Sequence, residues 1–594
     1  MSTTIQHHRG GSFLIESVAP SDIFTPEDFE QEALLLAQTT REFIANEVEP
    51  VMERLEAKED GLMVKLLKKA GEIGLLCTDV PETYGGLDLP KAASMLLVEN
   101  LARGGSFPVT HGAHSGIGTL PLVYFGTEEQ KNTWLPRLAT GEIVGAYALT
   151  ETGSGSDALA ARATARLEGE EWILNGEKQF ITNAGFADLY IVFAKIDGEK
   201  FSAFIVPASA PGVSVGEEEH KMGIRGSSTR SLILQDARIP RSSLLGEEGR
   251  GHVIAFNILN VGRFKLGAGA VGGAKVCIDD ALRYGRERTQ FGKPLTSFPL
   301  IQGKLAEMAA LTFAGESATY RTAGLLDAAI AAIDPQSADH DRAVIEAIEE
   351  HSIECSIIKV LGSEVLDFAA DECVQIFGGY GYVEDYPAER YYRDARINRI
   401  YEGTNEINRM VITGMLLKRA MKGELALMAA AKQVQDALLA IPDLGNGAER
   451  SDFADAIDQV ERAKKALLLV AGVASLKFGP AIQKEQELLS WLADMVIQTY
   501  ALESAVLRAR KMRSAGSEIP MVRDLIALLQ IRSSHELLRV GSEALSRVSE
   551  GDDLRMQLAG LRRFAKLSQP IDGAAARRRA ASVLLENGGY RVPA

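Results

Sequence analysis

The chain has 594 residues, 46% of them hydrophobic and 24% charged, and a net charge of −16. This composition excludes a disordered chain, a collagen and a disulfide miniprotein, and the length implies several domains. The acidic balance makes nucleic acid a poor general partner, while a local basic pocket for one anionic ligand remains open.

Residues 26–144 read as a helical domain. Phe29 to Ala57 and Leu62 to Ile73 are periodic stretches, and Thr25 offers an N-cap with Pro26 at the first helical position. Residues 145–254 change texture. Short β-rich runs (TARLEG, EWILNG, LYIVFAKI, SAFIVPA, SLILQDARIP) alternate with turn residues, which predicts an antiparallel β domain without βαβ crossovers. Residues 255–421 return to long helices at 256–287, 299–333, 341–376 and 405–421, the pattern of a four-helix bundle. Residues 422–594 are an extra C-terminal helical domain, divided at 441–453, 478–480 and 514–520. The predicted fold is therefore mainly α with a central β domain.

Several motifs are ruled out. Cys77, Cys277, Cys355 and Cys373 form no CxxC pair, so no zinc site or disulfide framework is expected, which fits a reducing compartment. GAGAVG (267–272) has dinucleotide-loop spacing but sits in a helical pattern, and no P-loop, GxSxG or HExxH is present. His111 and His114 are three apart and lack further ligands, so they read as histidines on an apolar wall and no metal is expected. The N-terminus lacks a signal-peptide run, no uninterrupted apolar stretch reaches about 18 residues, and the C-terminus has no prenylation box. A cytoplasmic protein is expected.

Three islands carry chemistry. AYALTETGSGSD (146–157) runs a strand into a Gly- and hydroxyl-rich loop, which reads either as a polar turn or as a cradle for a flat or phosphate-bearing ligand. In NGEKQFITNAG (175–185) Phe180 can lie on a flat ring and Thr182 can donate to its edge; alone, this segment reads equally as a hairpin and strand. In RIYEGTNEINRM (399–410) Glu402 precedes a helix that Thr404 can cap. A carboxylate dried there beside Tyr401 would have a raised pKa, suited to removing a weakly acidic C–H proton; the plainer reading is a solvated loop glutamate.

Together the islands resemble the acyl-CoA dehydrogenase family. The resemblance is carried by Thr150–Glu151 with Gly155–Ser156–Asp157, FITNA (180–184), KMGIRGSST (221–229), RERTQFGK (286–293), QIFGGYGY (375–382) and YEGTNEI (401–407), in order over about residues 30–420. The helical continuation to 594, NILNVGRF (257–264) and LIQGKLAEM (300–308) resemble its very-long-chain subgroup.

The resemblance implies FAD-dependent α,β-dehydrogenation of a long-chain fatty acyl-CoA to the trans-2-enoyl-CoA in fatty acid β-oxidation. Glu402 would take the α-proton as the β-hydride leaves to FAD, and the backbone N–H of Glu402 with a flavin ribityl hydroxyl would stabilise the enolate oxygen. For FAD it implies Tyr147, Thr150, Ser156, Phe180, Thr182, Thr404 and Glu406, with Arg288 and Phe291 reaching a neighbouring subunit's FAD, and Gln375, Gly378 and Gly379 holding its pyrophosphate end. For the acyl-CoA it implies Ser156, Asn260, Arg263 and Gly403. Gly262 stands where some relatives carry an alternative base, which favours Glu402. Small residues in VTHGAHSGIG (109–118) predict a deep pocket for chains of about C12 to C20.

The implied partners are electron-transfer flavoprotein and a second copy of the chain in a homodimer. The apolar stretch 461–478, flanked by Lys464, Lys465 and Lys477, reads as a core helix or as a peripheral contact with the inner face of a membrane. RRR at 577–579 reads as a solvated face. The alternatives are an acyl-CoA oxidase, which the YEGT motif disfavours, and a respiratory-complex assembly scaffold, which an intact Glu402 disfavours.

Overall fold

The computed structural model describes residues 8–337, 339–438 and 452–592. The first helices are α1 (Gln31–Phe43), α2 (Met52–Glu56), α3 (Leu62–Glu72), α4 (Lys91–Asn100), α5 (Phe107–Gly112), α6 (Leu120–Phe125) and α7 (Glu128–Ala139). Thr25 and Asp28 form a capping box on a short 3₁₀ turn at Pro26–Asp28, and α1 begins only at Gln31. The expected continuous helix over 29–57 is broken: a π turn at Ile44–Val48 and a 3₁₀ turn at Glu49–Val51 separate α1 from α2. Pro50 sits at that break, since it has no N–H for the helical ladder and its ring crowds the preceding turn.

The strands are β1 (Gly145–Ala148), β2 (Thr164–Glu168), β3 (Glu171–Thr182), β4 (Leu189–Ile196), β5 (Lys200–Pro207), β6 (Val213–Val215), β7 (Thr229–Pro240) and β8 (Leu244–Leu245). The sheet runs β6-β7-β3-β2-β4-β5-β8, with β1 on β4. Most pairs are antiparallel, but β1–β4 and β2–β4 are parallel, which corrects the purely antiparallel expectation. The chain between β1 and β2 is a long loop rather than a hairpin, so β1 can return to the sheet in the same direction as β4 without a helical crossover.

α8 (Gly251–Glu287) leads through a two-stranded hairpin, β9 (Thr289–Gln290) and β10 (Lys293–Pro294), into α9 (Pro299–Ala331). α10 (His340–Glu350) and α11 (Ser352–Phe377) follow, so the single helix expected over 341–376 is divided at His351. α12 (Ala388–Ala395) precedes α13 (Asn405–Met421). The helices α8, α9, α11 and α13 form the bundle. The glycines of GAGAVG serve helix packing. A Cβ on Gly267 would lie 3.2 Å from the Ile358 carbonyl of α11, and one on Gly272 would lie 2.1 Å from the Glu99 carbonyl of α4.

The extension comprises α14 (Leu427–Leu438), α15 (Ala454–Phe478), α16 (Gln486–Ser514), α17 (Pro520–Val548), α18 (Gly551–Ala565) and α19 (Gly573–Asn587). The predicted divide at 441–453 falls mostly outside the described residues, while Gly479 and Gly516, both at positive φ, mark the other two. By length and composition α15 and its following turn could span a membrane, yet Ala463, Ala466 and Leu467 to Val470 are buried against neighbouring helices. Lys464, one of the lysines flanking this stretch, is buried and pairs with Glu503 at 2.6 Å, as in the core-helix reading. Within 577–579, Arg578 and Arg579 are exposed as expected of a solvated face, while Arg577 pairs with Glu307 and Arg579 with Asp524.

Candidate active site

Glu402 and Gly403 lie between α12 and α13 at φ 57° and 80°. A non-glycine residue in this left-handed region is strained, and such strain persists where the surroundings over-determine it. Thr404 caps α13, its hydroxyl accepting from the Ile407 N–H at 3.2 Å. Arg263 of α8 donates to the Glu402 carbonyl at 3.3 Å. Lys359 of α11 donates to the Gly403 carbonyl at 2.7 Å, and Asn408 donates to the same oxygen at 2.8 Å. The loop is thus held from three helices.

Oε2 of Glu402 is buried and, among the described residues, has no hydrogen-bond partner. It rests against Gly262 of α8, where a Cβ would stand 2.1 Å from it. Desolvation pushes the carboxyl up to about 7, against the opposing pull of the Arg263 and Lys359 cations. Burial, reinforced by the nearby Glu402 charge, likewise pushes up the phenols of Tyr147 and Tyr401.

Glu402 opens on a cavity of about 230 Å³. One wall is a stripe of α8 containing Gly262, Lys265, Gly269, Gly273, Val276 and Cys277, positions that recur at helical spacing. The facing wall includes Gly112, Ala113 and Gly116, and Thr182, Tyr391, Asp394 and Asn398 also contribute. His111 and His114 spend Nε2 on the carbonyls of Leu75 (2.7 Å) and Leu138 (3.0 Å), and burial pushes both down to about 4, so both are neutral, His111 in the cavity wall.

The first two sequence islands are knit together. The Gln179 N–H donates to the Thr150 carbonyl at 2.8 Å, and Lys178 pairs with Glu151 at 2.7 Å. Glu151 also accepts the backbone N–H groups of Arg162 and Ala163. A register irregularity between Lys178 and Ile181 places Phe180 at φ 60° with 57% of its surface exposed, and turns Thr182 into the cavity. An uncovered phenyl ring on a strained backbone position is a seat for a flat aromatic ligand.

The remaining expected residues separate into three groups. Tyr147 is buried near Glu402, while Ser156 and Glu406 are exposed at the loop and at the first turn of α13. Asn260 and Arg263 are turned inward: Arg263 Nη1 donates to Asn260 Oδ1 at 2.8 Å and Nε reaches the Glu402 carbonyl. Both are buried, and Arg263 supports the Glu402 loop, since an interior guanidinium must satisfy its donors locally. Arg288, Phe291, Gln375, Gly378 and Gly379 are exposed and outside the cavity lining. Arg288 stacks over Tyr380 at 5.4 Å, and Phe291 at the hairpin tip is 91% exposed, so these residues gather on one surface of the chain.

Sequence reasoning assigned no role to Lys359, Lys178, Glu151 or Asp394. A single lysine within the apolar run SIIKVLG was the readable signal for the first.

The chain matches the acyl-CoA dehydrogenase N-terminal domain over residues 30–142, the middle domain over 146–237 and the C-terminal domain over 249–417, with a second acyl-CoA dehydrogenase C-terminal domain over 462–563. A probable acyl-CoA dehydrogenase of Bacillus subtilis (strain 168) is 47% identical over 98% of both chains. The human mitochondrial short-chain specific acyl-CoA dehydrogenase is 41% identical over 65% of this chain and 90% of its own. The crystal structure of an acyl-CoA dehydrogenase complexed with FAD from Bacillus anthracis superposes with a TM-score of 0.95 at 50% identity, covering 98% of this chain and 100% of that one.

Proposed function

Because the chain belongs to the acyl-CoA dehydrogenase family, we propose that it oxidises long-chain fatty acyl-CoA thioesters between Cα and Cβ, with Glu402 as the base. It is an FAD-dependent oxidoreductase. The residues fit that group: the uncovered Phe180 ring, the cross-bonded Thr150 loop and Thr182 would frame the flavin. When bound, FAD supplies the acceptor for the hydride leaving the β-carbon. Tyr147, Ser156, Thr404 and Glu406 are further proposed contacts.

The observation that carries this reading is the carboxylate itself, dried at Oε2 and facing a cavity with apolar walls. A free carboxylate is too weak a base for a thioester α-proton. Desolvation raises its proton affinity, and donors aimed at the thioester oxygen lower the acidity barrier. The Glu402 backbone N–H is the proposed protein donor. Arg263 and Lys359 occupy the carbonyls of the same loop and so keep the base from swinging away.

Cavity length supports long chains. The lining of α8 runs from Gly262, in touch with Glu402, to Cys277, about 22 Å at a helical rise of about 1.5 Å per residue. Tyr391 of the lining donates to Asp280 (2.7 Å), the next position along α8, which is buried and also accepts from Arg103 (3.0 Å) and Arg283 (2.8 Å). This length and the helical extension support the very-long-chain subgroup. The exposed Arg288, Phe291 and Gln375–Gly379 surface supports a homodimer in which each copy completes the other's FAD site. Electron-transfer flavoprotein is the proposed acceptor and the cytoplasm the proposed location.

Anaerobic titration with C4, C8, C12 and C16 acyl-CoA tests the reading. Flavin bleaching strongest with C16 is expected, and no bleaching with any chain overturns it. A Cβ on Gly116 would enter open space in the cavity, so Gly116→Leu is expected to reduce kcat/KM for C16 by about 100-fold while sparing C4.

A further inference from the structure

We propose that Lys359 is the positioning residue of the catalytic loop, clamping the Gly403 carbonyl and the Asn405 side chain so that the Glu402 carboxylate stays over Gly262. The proposal rests on the reading of Glu402 as the base. Lys359 is 0% exposed in the middle of α11, among Ile357, Ile358, Val360 and Leu361. Burying an ammonium is unfavourable unless it is paired or well hydrogen-bonded. Both oxygens that Lys359 directly bonds are neutral: the Gly403 carbonyl at 2.7 Å and Asn405 Oδ1 at 2.8 Å.

Asn405 relays the hold. Its Nδ2 donates to Ser363 Oγ at 3.0 Å and to Glu364 Oε1 at 3.2 Å, and Arg409 pairs with Glu364 at 2.8 Å. The first residue of α13 is therefore pinned to two successive turns of α11 through one ammonium and one amide. The charged groups facing Lys359 are Glu402 and Glu406 around the start of α13, Arg263 on α8 and Glu364 on α11. Burial pushes Lys359 down to about 7, with the Glu402 charge working against that shift. The cation in turn favours the ionised base.

Lys359 thus acts through Glu402 in two separable ways, by geometry and by charge. Two variants of the full-length holoenzyme separate them: Lys359→Met removes donor and charge, and Lys359→Gln keeps a donor without charge. The measurement is the pH profile of kcat/KM with palmitoyl-CoA, beside wild type and Glu402→Gln. Lys359→Met is expected to lose about 10- to 100-fold in kcat/KM, as a base displaced by about an ångström would. Its acid limb is expected to move up by about one pH unit, since the base is then protonated to higher pH. Lys359→Gln is expected to recover part of the rate while its acid limb stays displaced. If Lys359→Met does not fold, the displaced limb of Lys359→Gln carries the test. Acid limbs coinciding with wild type in both variants overturn the proposal, whatever their rates. Turnover persisting in Glu402→Gln overturns the underlying reading of the base as well, which distinguishes the two failures.

Discussion

Glu402 shows how much can depend on one backbone angle. At φ 57° its side chain is directed toward α8, where the missing Cβ of Gly262 leaves it room. Gly262→Ala would put a methyl group 2.1 Å from Oε2, so the carboxylate must move. A loss of about 100-fold in the rate of flavin reduction is expected with FAD content unchanged, checked by anaerobic stopped-flow and absorbance. The raised carboxyl also fixes a pH dependence. A base pushed up to about 7 is protonated below that pH, so kcat/KM should fall on the acid side of about pH 7. A profile flat from pH 5 to 8 would contradict the desolvation argument. The identity of Glu402 was legible from its place before a capped helix and from the family resemblance. The inward role of Arg263 and Asn260 was not, because sequence does not say which face of a buried helix a polar residue turns to.

At the scale of elements, α4 and α8 are joined by a buried ionic triad. Asp79 accepts from Lys91 at 2.9 Å and from Lys265 at 2.7 Å, and all three are buried. Burial alone would push the Asp79 carboxyl up, but the Lys265 and Lys91 ammoniums outweigh it and hold it well below the usual carboxylate range. The stability this contributes is complete above the ordinary carboxylate pKa of about 4 and drains away as the pH falls toward the depressed native value. Asp79→Asn leaves two ammoniums without their anion and should cost about 3–5 kcal/mol in denaturant unfolding. Helix ends were the least legible features at this scale. Pro50 announced a break within 29–57 that periodicity overrode, whereas the divide at His351 has no Pro or Gly to signal it.

Across the whole molecule, a second ionic network binds the extension to the body. Arg508 of α16 reaches Glu316 of α9 and Glu27 near the N-terminus, each at 2.6 Å. Tyr590, beyond α19, donates to Glu316 at 3.0 Å, and Lys275 of α8 pairs with both Glu316 and Glu99. Residues far apart in sequence thus share one largely buried cluster, and Arg508 of the extension finds its carboxylate partners only when the extension is docked. Arg508→Met should destabilise the protein by about 3–5 kcal/mol and separate a single calorimetric transition into two, the extension melting first. A single transition at the wild-type temperature would show that apolar contacts alone hold the extension.

The sequence by itself determined the order of helical and β regions, the bundle helices near 256–287, 299–333 and 405–421, and the segments to which the base and the flavin frame are assigned in the proposed function. These follow from local periodicity, turn chemistry and short ordered motifs, each contained within a few residues. Tertiary structure alone decided the parallel registers of β1 and β2 on β4, the inward turn of Arg263, the clamp of Lys359 on the Gly403 carbonyl and the pairing of Lys464. Each of these joins groups distant in the chain, and a buried charge finds its partner only after the helices around it have packed and excluded water.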